Sequence, residues 1–216
     1  SFAAAFAELH ALAPHYLQLG FLKILPGAPL AAEAAQRGLL YSDYPPYQIL
    51  QTPTMSAEHL QKLQRADKAL NSFYNSGYFR HSLLTAAALW PGGALELYWR
   101  LALAMEARGP GGLSLIAKAR LLADTLLPLD EALFGDLLRL DWLSYQDNQP
   151  LPPFLRRADD GKNNFAFNYS WHFDEAGQAE KSAGPSRLSF NWRRRIGVCA
   201  RAENTNVSYA HNPRIL

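Results

Sequence analysis

Residues 16–25 read YLQLGFLKIL and run directly into Pro26-Gly27-Ala28-Pro29. Only Gln18 and Lys23 carry strongly polar side chains in that stretch. A nearly continuous apolar run of this kind is the pattern of a strand buried on both faces of a parallel α/β sheet. Residues 2–13 before it are rich in Ala and Leu and stop at Pro14, and residues 30–37 after it read as a short helix ending at Gly38. The opening of the chain is therefore helix, strand, turn, helix. One strand is not a sheet, because an unpaired buried peptide group costs about 1–3 kcal/mol. Its partners must come from strands near the C-terminus or from a larger domain of which this is the last unit.

Working outward, the segment YSDYPPYQILQTPT at 41–54 has three prolines and the tyrosines Tyr41, Tyr44 and Tyr47, a composition that favours extended backbone over helix. From Ser56 the pattern turns helical. Ser56 is placed to cap, Glu58 lies in the first turn, and Leu60, Leu63, Ala66, Leu70 and Phe73 recur at helical spacing up to Asn75-Ser76-Gly77. Further helices are predicted over 79–90, 94–108, 113–127 and 130–145, separated by Pro91-Gly92-Gly93, Gly109-Pro110-Gly111-Gly112 and Pro128, with Asp130 available as a cap. The connections suit a bundle of about five helices with antiparallel neighbours.

After Pro152-Pro153 the period changes to two: Phe165, Phe167, Tyr169, Trp171 and Phe173 alternate with small or polar residues and predict one strand ending at a turn, 174–177. Residues 187–195 give a second strand, and the two form a hairpin with a long connection. The stretch from 154 onward carries 10 Lys+Arg against 6 Asp+Glu, and weak order is expected past about residue 197. The fold class is thus mainly α. A terminal helix-strand-helix unit (1–38), a Pro/Tyr-rich linker (39–55), a helical domain (56–155) and a basic tail with a β-hairpin (156–216) follow in that order.

Composition excludes several chemistries. One cysteine, Cys199, among 216 residues cannot hold an iron–sulfur cluster or a thiolate zinc site, which take about three or four such ligands from a protein. The formal charge of +2 gives no reason to expect nucleic acid or an anionic membrane. The most apolar helical stretch, 94–105, is interrupted by Glu96 and Arg100 and is too short to span a bilayer. No secretory leader is evident at Ser1, so a cytoplasmic, reducing compartment is expected, and the lack of a starting Met raises the possibility of a piece of a longer chain.

Few residues stand out as sites. The six histidines show no HExxH or HxxxH spacing, and no serine lies in GxSxG. Arg193-Arg194-Arg195 behind Trp192 reads as a solvated strand end more readily than a phosphate site, and the sequons Asn168-Tyr169-Ser170 and Asn206-Val207-Ser208 are chance matches in an Asn-rich tail. Asp141, set among Leu137, Leu138, Leu140 and Trp142, is a carboxylate in apolar company and needs a partner such as Arg139 or a backbone donor.

The motifs left over carry a resemblance. PHYLQLGFLKILPGAPL at 14–30, YSDYPPY at 41–47, YNSG at 74–77, LDWL at 140–143 and PPFL at 152–155 occur in an order that resembles the C-terminal portion of cobalamin-binding radical SAM proteins. The resemblance covers residues 1 to about 175. It implies that 1–30 end a radical SAM barrel and that the helices form the appended domain of unknown function. It also implies that the full-length family uses S-adenosylmethionine, an iron–sulfur cluster and cobalamin, with Pro26 and Gly27 near the cofactor and Tyr44 and Tyr47 lining the substrate side. The family's CxxxCxxC motif is absent from this chain, so the chain alone is expected to be catalytically silent and to hold none of these cofactors. Its partners would be the barrel and cobalamin-binding regions of the same protein. The other reading is a free-standing helical interaction module, without enzymatic activity, that pairs its strand with its own hairpin or a second copy.

Overall fold

The computed structural model describes residues 1–145, 150–161, 164–173, 179–182, 184–191, 196–201 and 206–209. The described residues are mainly α with short strands, as the sequence predicts. The helices are α1 (Phe2–Ala11), α2 (Pro29–Glu33), α3 (Ala57–Phe73), α4 (Arg80–Leu89), α5 (Gly93–Glu106), α6 (Leu115–Leu126) and α7 (Glu131–Tyr145). No helix among the described residues is long and apolar enough to cross a membrane.

Helix starts follow local chemistry. Ser56 caps α3 by accepting the His59 N–H at 3.2 Å, Ser114 caps α6 through Ala117 at 3.2 Å, and Asp130 caps α7 through Leu133 at 2.9 Å. The α5 start is different. Gly92 stands before it at φ 92°, and a Cβ there would come within 3.2 Å of the Glu96 side chain, so both the dihedral and the space call for glycine.

The chain divides into two compact units. The first takes residues 1–75 and 90–109. In it α3 and α5 pack against each other and α1 lies on α5, where the Phe6 ring meets Tyr98 edge-on at 6.0 Å. The five α3 positions picked out by helical spacing are all buried, together with Ala69. A second cluster gathers Ile24, Ala34, Ile49, Leu60 and Leu63. The hairpin of β1 (Leu40–Tyr41) and β2 (Ile49–Gln51) is antiparallel with a register irregularity between Leu40 and Tyr41. Trp99 lies under the cations of Lys62 and Arg65, 5.3 and 5.6 Å from its ring centre, and those cations are themselves paired with Glu96 and Glu106.

The second unit takes residues 76–89 and 110–216. Helix α7 packs on α4 and α6 around Leu83, Ala86, Leu121, Leu122, Leu126, Phe134, Leu138 and Trp142, all buried. A 3-10 turn (Pro153–Leu155) leads to the strands β3 (Asn164–Phe167), β4 (Ser170–Phe173), β5 (Ala179–Ser182), β6 (Ser186–Asn191), β7 (Ile196–Arg201) and β8 (Asn206–Tyr209). One sheet runs β3-β6-β7-β8 and a separate ribbon pairs β4 with β5, all antiparallel.

Two expectations change. The alternating run 165–173 is two strands in two sheets, broken at Asn168 and Tyr169, for a reason given below. The expected pairing of the first and second runs holds between β3 and β6. Past residue 197 the described residues belong to β7 and β8, while Trp192, the three arginines after it and the turn 174–177 lie outside the described residues. The run 16–25 is extended but not a regular strand: it makes a single bridge, Lys23 to Gln48, and only Ile24 in it is buried.

Candidate functional site

The extended segment 16–25 obtains its hydrogen bonds from two sources. Asp67, Asn71 and Asn75 recur every four residues along α3 and its end, which puts them on one helical face. Asn75 grips Leu17 at both backbone groups, its Nδ2 donating to the carbonyl at 2.8 Å and its Oδ1 accepting the amide at 3.0 Å. Asp67 accepts the Leu19 amide at 3.4 Å, and Tyr16 donates its hydroxyl to Asn71 at 3.4 Å. Asn71 links the row, donating to the Asp67 carboxylate at 3.0 Å and accepting from Asn75 at 2.7 Å. Tyr74 donates its hydroxyl to the Pro14 carbonyl. Burial pushes the Asp67 carboxyl above its ordinary value, against the opposing pull of the Leu19 amide and Asn71.

Farther along, the segment turns to the hairpin. Ile24 donates to the Tyr47 carbonyl and Ile49 to the Leu22 carbonyl, each at 2.9 Å. A strand buried on both faces was expected, yet Tyr16, Leu22 and Leu25 are 60%, 45% and 55% exposed. In this unit the segment is covered on one side only.

The turn that follows carries Pro26 and Gly27. Gly27 has φ 80°, and the Ala28 amide closes the turn on the Leu25 carbonyl at 3.1 Å. Both Pro26 and Gly27 are exposed. The loop 41–47 is fixed by Ser42, whose hydroxyl donates to the Tyr44 carbonyl at 2.9 Å and accepts the Tyr44 amide at 3.2 Å. The Pro45-Pro46 peptide is cis, and Tyr47 sits at φ 57° with its amide donating to the Tyr44 carbonyl at 2.8 Å. The result presents Tyr44 at 78% exposure. Through the Ile24–Tyr47 bond the structure brings this loop beside the strand that ends at Pro26, so the four residues named from sequence belong to one region.

Elsewhere the polar groups are buried and occupied. His10 on α1 shares a hydrogen bond of 2.8 Å between its Nε2 and the Tyr98 hydroxyl, and its ring lies 4.9 Å from that of Tyr74. Burial holds the Tyr98 hydroxyl well above its ordinary pKa, with Tyr74 adding to the effect. In the second unit Asp141, fully buried, collects four donors: the His81 amide at 3.1 Å and Nδ1 at 2.7 Å, and the Ser82 amide at 2.9 Å and hydroxyl at 2.6 Å. It therefore caps the first turn of α4 from another helix. Backbone donors were expected at Asp141, but Arg139 is not its partner.

Arg139 serves the strands instead. Its Nη2 donates to Asp160 at 2.6 Å and to the Ala166 carbonyl at 2.8 Å, and its Nη1 to the Leu155 carbonyl at 2.5 Å. Asp136, one helical turn earlier, accepts the amides of Asn168 and Tyr169, the Trp171 indole and Arg157. Two adjacent amides aimed at one carboxylate cannot continue a ladder, which is why the run 165–173 breaks there. Among the described residues no group of His, Cys, Asp or Glu is arranged to hold a metal ion.

Sequence reasoning gives Arg157 and Asp160 no role, groups Asp136 with carboxylates on solvated faces or caps, and weighs His10 and His81 only as metal ligands; the structure buries Asp136, His10 and His81. The signal available for Asp136 was its place one turn from Arg139, beside Leu133, Leu137 and Leu140 on the same helix.

These features define a mainly helical protein whose buried Asp136, Asp141 and Asp160 carboxylates are all hydrogen-bonded, with a one-sided extended segment beside an aromatic loop. The chain belongs to the DUF4080 family, described as a protein of unknown function, which matches residues 35–179. No curated protein and no solved structure matches the chain.

Proposed function

We propose that the chain is the C-terminal part of a cobalamin-dependent radical SAM protein, supplying substrate or partner contacts to a reaction whose cofactors are held elsewhere in the polypeptide. The observation that carries this reading is the extended segment 16–25. Its Leu22 and Leu25 stand exposed on a run whose sequence reads as doubly buried, as a strand does when its neighbouring layer is absent. The motif order described above accords with it.

The donor set of this chain does not fit an iron–sulfur cluster, since Cys199 is its one thiol. No catalytic step is assigned to these residues. Their part is positional: the turn at Pro26 and Gly27 faces the cofactor side, and Tyr44 and Tyr47 supply aromatic surface to the substrate side. A cytoplasmic location fits oxygen-sensitive chemistry of this kind. The test is the coding region upstream of Ser1. An open frame with CxxxCxxC is the expected result, and a stop codon with no such motif sinks the reading.

A further inference from the structure

Asparagine carries a donor and an acceptor side by side on its side-chain amide, so it can meet a backbone as the residue of a neighbouring strand does. Asn75 meets Leu17 in this way, taking its amide at 3.0 Å and its carbonyl at 2.8 Å. Leu19, which returns to the same edge of the extended chain, gives its amide to Asp67 at 3.4 Å. Asn71 ties the two together: it donates to the Asp67 carboxylate at 3.0 Å and to the Asp67 carbonyl at 2.9 Å, and it accepts from Asn75 at 2.7 Å. The row is thus held in place by bonds among its own members, independently of the segment that lies on it.

What the row reads is backbone. Of its four bonds to the segment, three go to main-chain groups and one, at 3.4 Å, to the Tyr16 hydroxyl. None of residues 15–23 is buried, and a Cβ on Gly20 would meet nothing within 4 Å. In strand-like recognition main-chain bonds supply affinity and side-chain pockets supply specificity, so a row without pockets accepts many sequences. Nor is its occupant firmly fixed. Three main-chain bonds, one of them long, oppose the entropy of ordering the chain between its two anchors, the Pro14 carbonyl held by Tyr74 and the buried Ile24. With no buried side chain to add to the bonds, the two effects are close in size. We propose that the row of Asp67, Asn71 and Asn75 is a binding site for extended polypeptide, read through its backbone, and that residues 16–19 are an exchangeable occupant that a second peptide displaces. The proposal concerns residues of this chain alone and does not depend on the reading of a longer protein.

The test is amide hydrogen exchange of the full chain with a competing peptide. The probe is the heptapeptide of residues 14–20, PHYLQLG, blocked at both ends and added on the order of several millimolar, the effective concentration of a short tether. The Leu17 and Leu19 amides of the chain are expected to exchange about fivefold faster, with Ile24 and Ile49, which are bonded elsewhere, unchanged. A scrambled peptide of the same composition is expected to act within about twofold of the parent. The parent peptide N-methylated at the position of Leu17 is expected to do nothing, because it has no amide to give Asn75. No response to the parent peptide would make the segment a fixed part of the fold and overturn the proposal. An inert scrambled peptide would assign the recognition to side chains, and an active N-methylated one to another surface; either result overturns it. So does acceleration that spreads to Ile49, which would mean that the peptide loosens the fold rather than occupying the row.

Discussion

Asp136 Oδ2 on α7 lies 2.7 Å from the amide nitrogen of Asn168 and 3.0 Å from that of Tyr169. One fully buried carboxylate thus fixes the corner between β3 and β4. Replacing Asp136 by Ala leaves those amides, the Trp171 indole and Arg157 without their shared acceptor. The expected cost is about 3–5 kcal/mol of stability, read from urea unfolding, with loss of protection at 168–171. A cost below about 1 kcal/mol would show that the corner is held by strand pairing alone.

Asp160 and Asp136 are expected to respond to pH in opposite senses. Burial raises the Asp160 carboxyl, but the Arg139 side-chain bond, the Arg157 amide, the Arg139 charge and the Ala166 amide together outweigh it, so it sits below its ordinary value. Its contribution is complete above the unfolded pKa of about 3.9 and is lost as pH falls through the lower folded value. At Asp136 burial prevails over the Asn168 and Tyr169 amides, Arg157 and Trp171, so its contribution is present below the unfolded pKa and lost as pH rises through the higher folded one. Asp160→Asn should therefore flatten the acid limb of stability against pH, measured as urea midpoints. An acid limb as steep as the parent's would contradict the assignment.

Asn75→Ala removes both bonds to the Leu17 backbone. About 1–3 kcal/mol and faster exchange of the Leu17 and Leu19 amides are expected, with the Ile49 amide unaffected. Equal loosening of all three would mean that the α3 row does not hold the segment independently.

Trp142 Nε1 is buried with no hydrogen-bond partner among the described residues. Trp142→Phe should change stability by less than about 1 kcal/mol, since it removes an unmatched donor, whereas Trp142→Ala should cost about 3–5 kcal/mol in lost packing. Thermal unfolding of the pair checks this; a costly Trp142→Phe would reveal an acceptor.

Tyr44 tests the functional side of the account. Its exposure predicts that Tyr44→Ala leaves stability within about 0.5 kcal/mol. In the product of the whole reading frame the same change should raise KM at least several-fold. An unchanged KM would remove Tyr44 from the substrate side.

What could be read from sequence was local. The Ser56 and Asp130 caps and the buried stripe of α3 are set by neighbours three to seven residues away, and they appear where the spacing predicts them; the Ser114 cap, inside the helix expected from 113, was not foreseen. The break at Asn168 and Tyr169 was not legible, because its cause is a carboxylate 32 residues earlier that periodicity ignores. Asp141 was recognisable as a buried charge, yet its donors lie 59 and 60 residues away on α4, and the adjacent Arg139 turns to Asp160. Residues 16–25 show the opposite failure. Their composition fits two buried faces, whereas the described residues cover one.

The central claim is that this domain serves a reaction whose cluster lies elsewhere in the same polypeptide. Iron content and S-adenosylmethionine consumption of the anaerobically purified product of the whole reading frame test it most directly. The account expects iron and consumption in that product, both abolished when the cysteines of an upstream CxxxCxxC are replaced. An iron-free product that leaves S-adenosylmethionine intact would contradict it.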